Sequence, residues 1–395
     1  MMQFTFNIPT RIEFGPGKLE ELGTTEHLPE GKKAMIVIGE SGVMLKMGYL
    51  SRVQGLLSKH GVASIVYDKI QPNPVSDHVA EAAAICREEA VDFVVGLGGG
   101  STIDASKSIA LMAANEGEYW DYMHGGTGKV KTPEKAALPI VAIPTTAGTG
   151  TEADPWTVIT KSGSDEKIGW GNQSTFPKLS IVDPELMLSV PQNQTAFTGM
   201  DAFFHAVECY LATVHQPTSD LLALEAVHLI THYLPLAVEE GKDIEARTAL
   251  AWASTAAGMC ESLSSCISHH SLEHALSGFH PELPHGAGLI LLSKAYFGFL
   301  AEKDNDRLED LGLTMADSMG MEPQNEGPMC FVEMLGELID NIGMGDMKLS
   351  DFGVKREEIP ALAENAIATM GGLFEITPYE MTREDVIRIY EDAYA

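Results

Sequence analysis

Four side chains in the middle of the chain, Asp201, His205, His270 and His285, have the chemistry and spacing of one divalent metal site. Asp201 and His205 lie four residues apart in a helical stretch, so both side chains point from one helix face. His270 and His274 repeat that spacing, and His285 follows a proline in a loop that enters a new helix. One carboxylate and three imidazoles suit Zn²⁺ or Fe²⁺, whereas Mg²⁺ and Ca²⁺ prefer oxygen ligands. These residues predict a metal centre.

Two loops of small residues lie upstream of the histidines. Residues 98–101, Gly-Gly-Gly-Ser, follow a buried type of strand and precede a helix predicted over 102–112. Such a loop lets the backbone approach a pyrophosphate, whose charge the positive end of the helix attracts, although a tight turn would also explain the glycines. Residues 145–152, Thr-Thr-Ala-Gly-Thr-Gly-Thr-Glu, follow the next strand. Two such loops at carboxyl ends of strands favour a dinucleotide, which beside a metal is suited to hydride transfer.

The first half of the chain alternates short apolar strands with helices. Strands are predicted at 34–40, 63–68, 91–100 and 139–144, helices at 50–60, 76–89 and 102–112, and the first 14 residues alternate like a further strand. This succession predicts an α/β domain with a parallel, Rossmann-like sheet over residues 1–190.

From about residue 195 the pattern is helical, which predicts an all-α domain over residues 191–395. The predicted helices cover 219–234, 244–278, 286–300, 305–319, 328–342, 359–370 and 383–394. We expect the two domains to abut and to leave a cleft between them.

The composition excludes several partners. Among 395 residues, 56 are acidic and 26 basic, and the formal charge of −30 repels nucleic acid and anionic membranes. Five cysteines form an odd set without close pairs, which favours idle thiols in a reducing compartment. The start lacks the regions of a signal peptide, and we expect no membrane-spanning apolar run. These features predict a cytoplasmic enzyme with a small-molecule substrate.

In order along the chain, these segments resemble the iron-containing, or group III, alcohol dehydrogenases. The resemblance covers nearly the whole chain and rests on FGPG (14–17), QPNP (71–74), GGGSTIDASK (98–107), IPTTAGTGTEA (143–153), SIVDPELMLSVP (180–191), GMDAFFHAVE (199–208), HHSLEH (269–274), PHG (284–286) and TPYEMTREDVIRIYEDA (377–393).

The resemblance implies the dehydroquinate synthase-like fold, with an N-terminal nucleotide-binding domain, a C-terminal helical domain and the metal in the cleft. It implies that Asp201, His205, His270 and His285 are the ligands. It also implies a homo-oligomer, a dimer or larger, and a cofactor site built from Gly98, Gly99, Gly100, Ser101, Asp104, Asn73, Thr145, Thr146, Thr149, Lys167 and Leu186.

Three departures from the family pattern matter. Many relatives carry a ribose-binding aspartate where this chain has Gly39, followed by Glu40; Glu40 would oppose a 2′-phosphate, which favours NAD(H) over NADP(H). The segment between His274 and His285 is one residue longer, which leaves His280 as a rival ligand. Glu261 lies where relatives are more apolar, and with Asp154 and Trp156 it is a candidate for the pocket wall, although helical phase allows it to face solvent.

The remaining histidines are interpreted more simply. His274 is best explained as a proton relay, because a fifth protein ligand would close the vacant position that catalysis needs. His269 is expected to turn away from the metal. Seven others are expected to be core or surface residues: His27, His60, His78, His124, His215, His228 and His232.

The predicted function is metal-dependent hydride transfer between a primary alcohol or aldehyde and NAD(P)(H). A lyase such as dehydroquinate synthase, or a glycerol or diol dehydrogenase of the same fold, is the alternative. The lyase should need basic residues in the cleft, and the sequence around the ligands supplies almost none. A non-catalytic metal or nucleotide binder would have no need of a vacant metal position facing a cofactor loop.

Overall fold

The computed structural model describes residues 3–303 and 305–394, and it begins with a six-stranded parallel sheet. The strand order is β1-β8-β5-β4-β2-β3. The strands are β1 (Arg11–Phe14), β2 (Lys33–Gly39), β3 (Ala63–Ile70), β4 (Phe93–Gly98), β5 (Ile140–Pro144) and β8 (Leu179–Val182). The prediction of a parallel sheet is confirmed. The N-terminal strand is shorter than predicted: residues 3–10 lie outside it, and residues 1–2 are outside the described chain.

Both faces of this sheet are covered, as expected for a parallel sheet. Successive residues of β2 alternate between two separate cores: Met35 and Val37 pack on one side, Ile36 and Ile38 on the other. The covering helices are α1 (Val43–Lys46), α2 (Tyr49–Lys59), α3 (Ser76–Glu88) and α4 (Gly100–Ala114). Because β3 and β4 flank β2 on opposite sides, the carboxyl ends of β2 and β4 border the point where the strand order reverses, which is where such sheets bind ligands.

An antiparallel hairpin between β5 and β8 was not predicted from the sequence. It consists of β6 (Thr157–Thr160) and β7 (Lys167–Trp170). The hairpin packs on α4 and on two helices of the C-terminal half, α8 (Ser268–Phe279) and α12 (Ile359–Glu375). It thereby brings Lys167 beside α8.

Residues from Gln192 onward form helices around one large apolar core, as predicted. Besides α8 and α12, these are α5 (Gln192–Leu211), α6 (Pro217–Glu239), α7 (Ile244–Leu263), α9 (His285–Ala301), α10 (Asp306–Met319), α11 (Met329–Asn341) and α13 (Arg383–Tyr394).

The prediction of one helix over 244–278 is wrong, because the chain breaks between α7 and α8. Ser264 has the non-helical dihedrals φ −137° and ψ −133°. The new helix begins where a carboxylate oxygen of Glu208, from α5, accepts hydrogen bonds from the backbone N–H groups of Ile267 (2.9 Å) and His270 (3.3 Å). A buried acceptor thus satisfies amides that would otherwise lack partners at the start of α8.

One helix corrects the expectation about apolar runs. By length and composition α6 could cross a membrane, with a mean hydropathy of 1.5 over its most apolar window. Its apolar face, however, packs against α5 and α7 in the core of the helical region. The core position explains its composition.

Candidate metal and cofactor site

Three helices bring the predicted metal ligands together. Asp201 and His205 project from α5, His270 from the first turn of α8, and His285 is the first residue of α9. The Nε2 atoms of His205, His270 and His285 lie 3.5, 3.6 and 3.4 Å from one atom, Oδ1 of Asp201. The rings of His205 and His270 stack with centroids 4.5 Å apart. The i, i+4 spacing predicted only that Asp201 and His205 lie close together. The packing of the three helices brings the imidazoles of His270 and His285 to this pair.

These donor atoms fit a divalent cation. Asp201 Oδ1 and His270 Nε2 are buried and lack a hydrogen-bond partner within residues 3–303 and 305–394. Leaving such atoms unpaired costs roughly 1–3 kcal/mol each, so their convergence calls for an ion. Three imidazole nitrogens and one carboxylate oxygen are a donor set that suits Zn²⁺ or Fe²⁺.

Two members of the cluster, Asp201 and His205, have protonation states that favour metal binding. Burial by itself would raise the pKa of Asp201, but the facing imidazoles of His205 and His285 outweigh it and hold that pKa well below its usual range. Burial lowers the pKa of His205 to about 4. At neutral pH the site therefore presents a carboxylate and a neutral imidazole, the forms that ligate metals.

Two glutamates each support one of the imidazoles from behind. Glu208 Oε1 lies 2.6 Å from Nδ1 of His270, and an oxygen of Glu273 contacts Nδ1 of His285. Both glutamates are fully buried. A carboxylate at Nδ1 holds the proton there and leaves Nε2 free to bind a metal.

The other histidines of the two motifs have different surroundings. His269 turns away from Asp201: its Nδ1 lies 2.9 Å from Glu208 Oε1 and its Nε2 3.1 Å from the carbonyl oxygen of Leu289. His280, the rival ligand, pairs with Glu358 at 2.9 Å and contacts none of the four predicted ligands. His274 is buried beside His285, with ring centroids 5.4 Å apart. Burial lowers the pKa of His274 well below its ordinary value, so its ring is neutral.

The loop of residues 98–101 lies at the point where the strand order of the sheet reverses. Gly99 precedes α4 without a side-chain cap, so the amides at the start of this helix are left for a ligand. The loop packs tightly on the second small-residue loop, because a Cβ at Gly100 would lie 2.2 Å from a methyl carbon of Thr149. Glycine is therefore required at position 100 by the space between the two loops.

A cleft of about 1010 Å³ connects the 98–101 loop to the four predicted metal ligands. It is lined by Asp201, His205, His270, His274 and His285 and by all the predicted cofactor residues: Gly39, Glu40, Asn73, Gly98, Gly99, Gly100, Ser101, Asp104, Thr145, Thr146, Thr149, Lys167 and Leu186.

Family comparisons agree with this geometry. The family model described as iron-containing alcohol dehydrogenase matches residues 9–184, and that of the C-terminal region of the same family matches residues 195–394. The chain belongs to the iron-containing alcohol dehydrogenase family. It is therefore an oxidoreductase that uses a metal and NAD.

Individual relatives span the full length of the chain. Alcohol dehydrogenase 4 of Saccharomyces cerevisiae is 34% identical over 391 residues, 98% of each chain. The NAD-dependent methanol dehydrogenase of Bacillus methanolicus is 33% identical over 398 residues, 98% of this chain and 99% of the relative. The crystal structure of an archaeal halo-thermophilic alcohol dehydrogenase from a Red Sea brine pool is 36% identical, with a TM-score of 0.93 over 100% of this chain and 99% of the other.

Two predicted cofactor residues of this alcohol dehydrogenase have strong contacts within the protein. Asp104 accepts hydrogen bonds from the Thr151 hydroxyl (2.7 Å) and the Val158 amide (2.9 Å). The Lys167 ammonium donates to Asn73 Oδ1 at 3.1 Å and to Ser277 at 2.7 Å. It also lies 3.5 Å from Glu273, the glutamate behind His285. Lys167 thus links the cofactor side of the cleft to the metal side.

The pocket wall includes residues that sequence reasoning treated as open or missed. Trp156 and Glu261 both line the cleft, and the Trp156 indole N–H donates to the backbone oxygen of Glu261 at 3.3 Å. The alternative that Glu261 faces solvent is wrong, because its side chain is 11% exposed. His124, assigned to the core or surface, and Met370 of α12 also line the cleft. No local motif marks these two residues, since only folding brings them there.

Proposed function

We propose that Asp201, His205, His270 and His285 bind one catalytic divalent ion, Fe²⁺ or Zn²⁺. The observation that carries this proposal is the approach of three imidazole Nε2 atoms to within 3.4–3.6 Å of a single Asp201 oxygen. The four side chains line the same cleft as the 98–101 loop, so the ion would sit where a substrate can meet the nicotinamide.

When bound, the metal would supply a Lewis acid that polarises the substrate oxygen, and the nicotinamide would accept or supply the hydride. The residues of the chain hold and orient these groups. The neutral ring of His274 lines the cleft and is buried next to His285, and we propose that it passes the alcohol proton toward solvent.

The cofactor is proposed to bind along the two small-residue loops. Its pyrophosphate would lie on the amides at the start of α4, just after Gly99. At the neighbouring strand end Glu40 is exposed and lines the cleft. A carboxylate there would accept hydrogen bonds from a free ribose diol and oppose a phosphate, which supports NAD(H) over NADP(H).

The substrate is proposed to be a short alcohol or its aldehyde. The side chain of Trp156 limits the pocket next to the proposed metal ligands, and Glu261 adds a polar group to its wall. Such a wall favours short substrates, including those with a second hydroxyl, over long alkyl chains.

The alternative lyase reaction has little support in the cleft. A phosphorylated, polyhydroxylated acid needs several cationic partners, whereas Lys167 is the one lysine or arginine among the described lining residues. Its ammonium is already bound by Asn73, Ser277 and Glu273.

We also propose a cytoplasmic homo-oligomer, a dimer or larger. The five cysteines are buried free thiols, which suits a reducing compartment. Phe4 and Phe6, in the segment that precedes β1, are 50% and 57% exposed, and a second copy would cover them. Light scattering during size exclusion would measure the mass, and a monomer would exclude this proposal.

The central experiment combines metal removal with a substrate panel. A chelator should abolish turnover, and Fe²⁺ or Zn²⁺ should restore it. The reconstituted enzyme would then be assayed on C2 to C6 alcohols, diols and amino alcohols, each with NAD⁺ and NADP⁺. Full activity of verified metal-free protein would contradict the metal site, and a greatly higher kcat/KM with NADP⁺ would contradict the role of Glu40.

A further inference from the structure

Two of the three histidines in the cluster share one arrangement, with Nε2 toward Asp201 and Nδ1 against a buried glutamate. In His270 this glutamate is Glu208, and in His285 it is Glu273. An imidazole that binds a metal through Nε2 must carry its proton on Nδ1, and a buried N–H requires an acceptor. The third histidine, His205, has the same requirement.

The carboxyl group closest to Nδ1 of His205 belongs to Glu261. Its Oε1 lies 3.4 Å from that nitrogen. Both atoms are buried, and neither has a hydrogen-bond partner in the part of the chain that the structure describes. When the His205 ring carries its proton on Nδ1, this N–H can donate a hydrogen bond to Glu261 Oε1. Each of the two buried atoms then has a partner.

Contacts of the last turn of α7 hold Glu261 in this place. Its backbone oxygen accepts from the Trp156 indole at 3.3 Å, and the next hydroxyl, of Ser262, donates to the backbone oxygen of Ala153 at 3.0 Å. The other carboxyl oxygen, Oε2, lies 3.6 Å from the thiol of Cys266. The last turn of α7 is thus fixed against residues 153–156, with the carboxyl group directed at His205.

We infer that Glu261 is a positioning residue for the metal site: it accepts a hydrogen bond from Nδ1 of His205 and completes a set of three histidine–glutamate pairs. This inference rests on the proposed metal site. It also explains a buried acid at a position where the family pattern is more apolar.

The buried environment is compatible with this role. Burial and the neighbouring Asp154 raise the pKa of Glu261 well above its ordinary range. Both forms of a carboxyl group offer an acceptor oxygen to an N–H donor. Since Oε1 has no solvent-accessible surface, this oxygen serves the imidazole rather than a substrate.

Metal affinity tests the inference without relying on turnover. Metal-free wild type and variants would be titrated with Co²⁺ against a chromophoric chelator, and the visible Co²⁺ spectrum would be recorded. Loss of such a supporting partner typically weakens metal binding about 10- to 100-fold, so Glu261→Ala should raise the Kd by that factor. Glu261→Gln keeps a carbonyl acceptor and should retain most of the affinity. Glu208→Gln provides a reference for a closer pair, and Glu245→Ala removes an exposed carboxylate from the same helix and should change nothing.

The melting temperature of the metal-free protein distinguishes this role from a purely structural one. If Glu261 positions His205, removing this buried acid should leave that melting temperature unchanged or higher, while Co²⁺ binding weakens. Equal Kd values for wild type and Glu261→Ala, or equal losses in the Ala and Gln variants, would overturn the inference. If wild type itself bound Co²⁺ no better than Asp201→Ala, the proposed metal site would fail instead.

Discussion

At the scale of single residues, the choice between His280 and His285 shows what decides a ligand. The two histidines lie five residues apart in one loop region, and local sequence left both open. His280, at the C-terminal end of α8, pairs with Glu358, whereas His285 shares its environment with Asp201 and Glu273.

We predict that His285→Ala loses the metal and that His280→Ala keeps it. The first variant removes one of four ligands and leaves Asp201 with fewer partners, while the second breaks one ion pair with a half-buried carboxylate. Metal content after dialysis, measured by elemental analysis, should fall to near zero only in His285→Ala. The opposite pattern would reassign the ligand.

At the scale of elements, the two small-residue loops pack directly against each other. Thr149 of the 145–152 loop contacts Gly100 of the 98–101 loop, and the 145–152 loop in turn packs on α7. Gly150, at φ +62°, approaches Gly258 of α7 so closely that a Cβ at Gly258 would lie 2.0 Å from the Gly150 oxygen. The 98–101 loop is therefore connected to α7 through the 145–152 loop.

We predict that Gly100→Ala weakens NADH binding. The added methyl group must displace Thr149, and overpacking of this kind costs about 1–3 kcal/mol, equivalent to a Kd roughly 5- to 150-fold higher. Fluorescence titration with NADH would measure it. Gly55→Ala, a helical glycine of α2 with free space around it, is the matched control and should bind as wild type does.

The 145–152 loop is also tied to α7 by a buried acid, and this tie should depend on pH. The Thr255 hydroxyl donates to Glu152 Oε1 at 2.6 Å, and burial raises the pKa of Glu152 above its ordinary 4.5. A raised folded-state pKa means that the unfolded chain releases the proton first. The contribution of Glu152 to stability is therefore complete below about pH 4.5 and is lost as pH rises through the folded-state pKa.

We predict that Glu152→Gln, which keeps the acceptor for Thr255 but cannot ionise, is more stable than wild type at pH 8. The difference in melting temperature should shrink as the pH falls toward 5. Thermal unfolding of metal-free protein across this range would measure it. Glu245→Gln, on the exposed start of α7, should give no such pH-dependent difference; an advantage of Glu152→Gln that grows toward pH 5 would contradict the assignment.

At the scale of the whole molecule, the charge of −30 affects stability as well as partner choice. Like charges repel one another across a compact protein, and salt screens this repulsion: the Debye length falls from about 30 Å at 0.01 M to roughly 10 Å at 0.1 M. The boundary between the two domains at residue 190 stays a prediction.

We predict that NaCl raises the melting temperature at pH 8 by several degrees between about 0.01 and 0.5 M. The effect should largely disappear near pH 5, because the sequence pI is about 4.7 and the net charge there is small. A melting temperature that is insensitive to salt at pH 8 would show that the charges are already neutralised in local pairs.

The sequence by itself determined the fold class, the ligand types and the two small-residue loops. These features depend on local rules: side chains four residues apart share a helix face, and glycines after a buried strand mark a close approach of the backbone. Predictions that extended across a long segment were less accurate: the single helix predicted over 244–278 is interrupted between α7 and α8.

Only the tertiary structure decided what surrounds the ligands. The carboxyl groups of Glu208, Glu261 and Glu273 lie beside different imidazoles because α5, α7, α8 and α9 pack together, and no sequence spacing specifies that packing. Because the helix breaks at Ser264, a helical phase counted from His270 did not apply to Glu261, whose side chain is only 11% exposed. An unpredicted hairpin brought Lys167 to Glu273. Contacts between distant segments depend on packing and on satisfying buried polar groups, which local patterns do not encode.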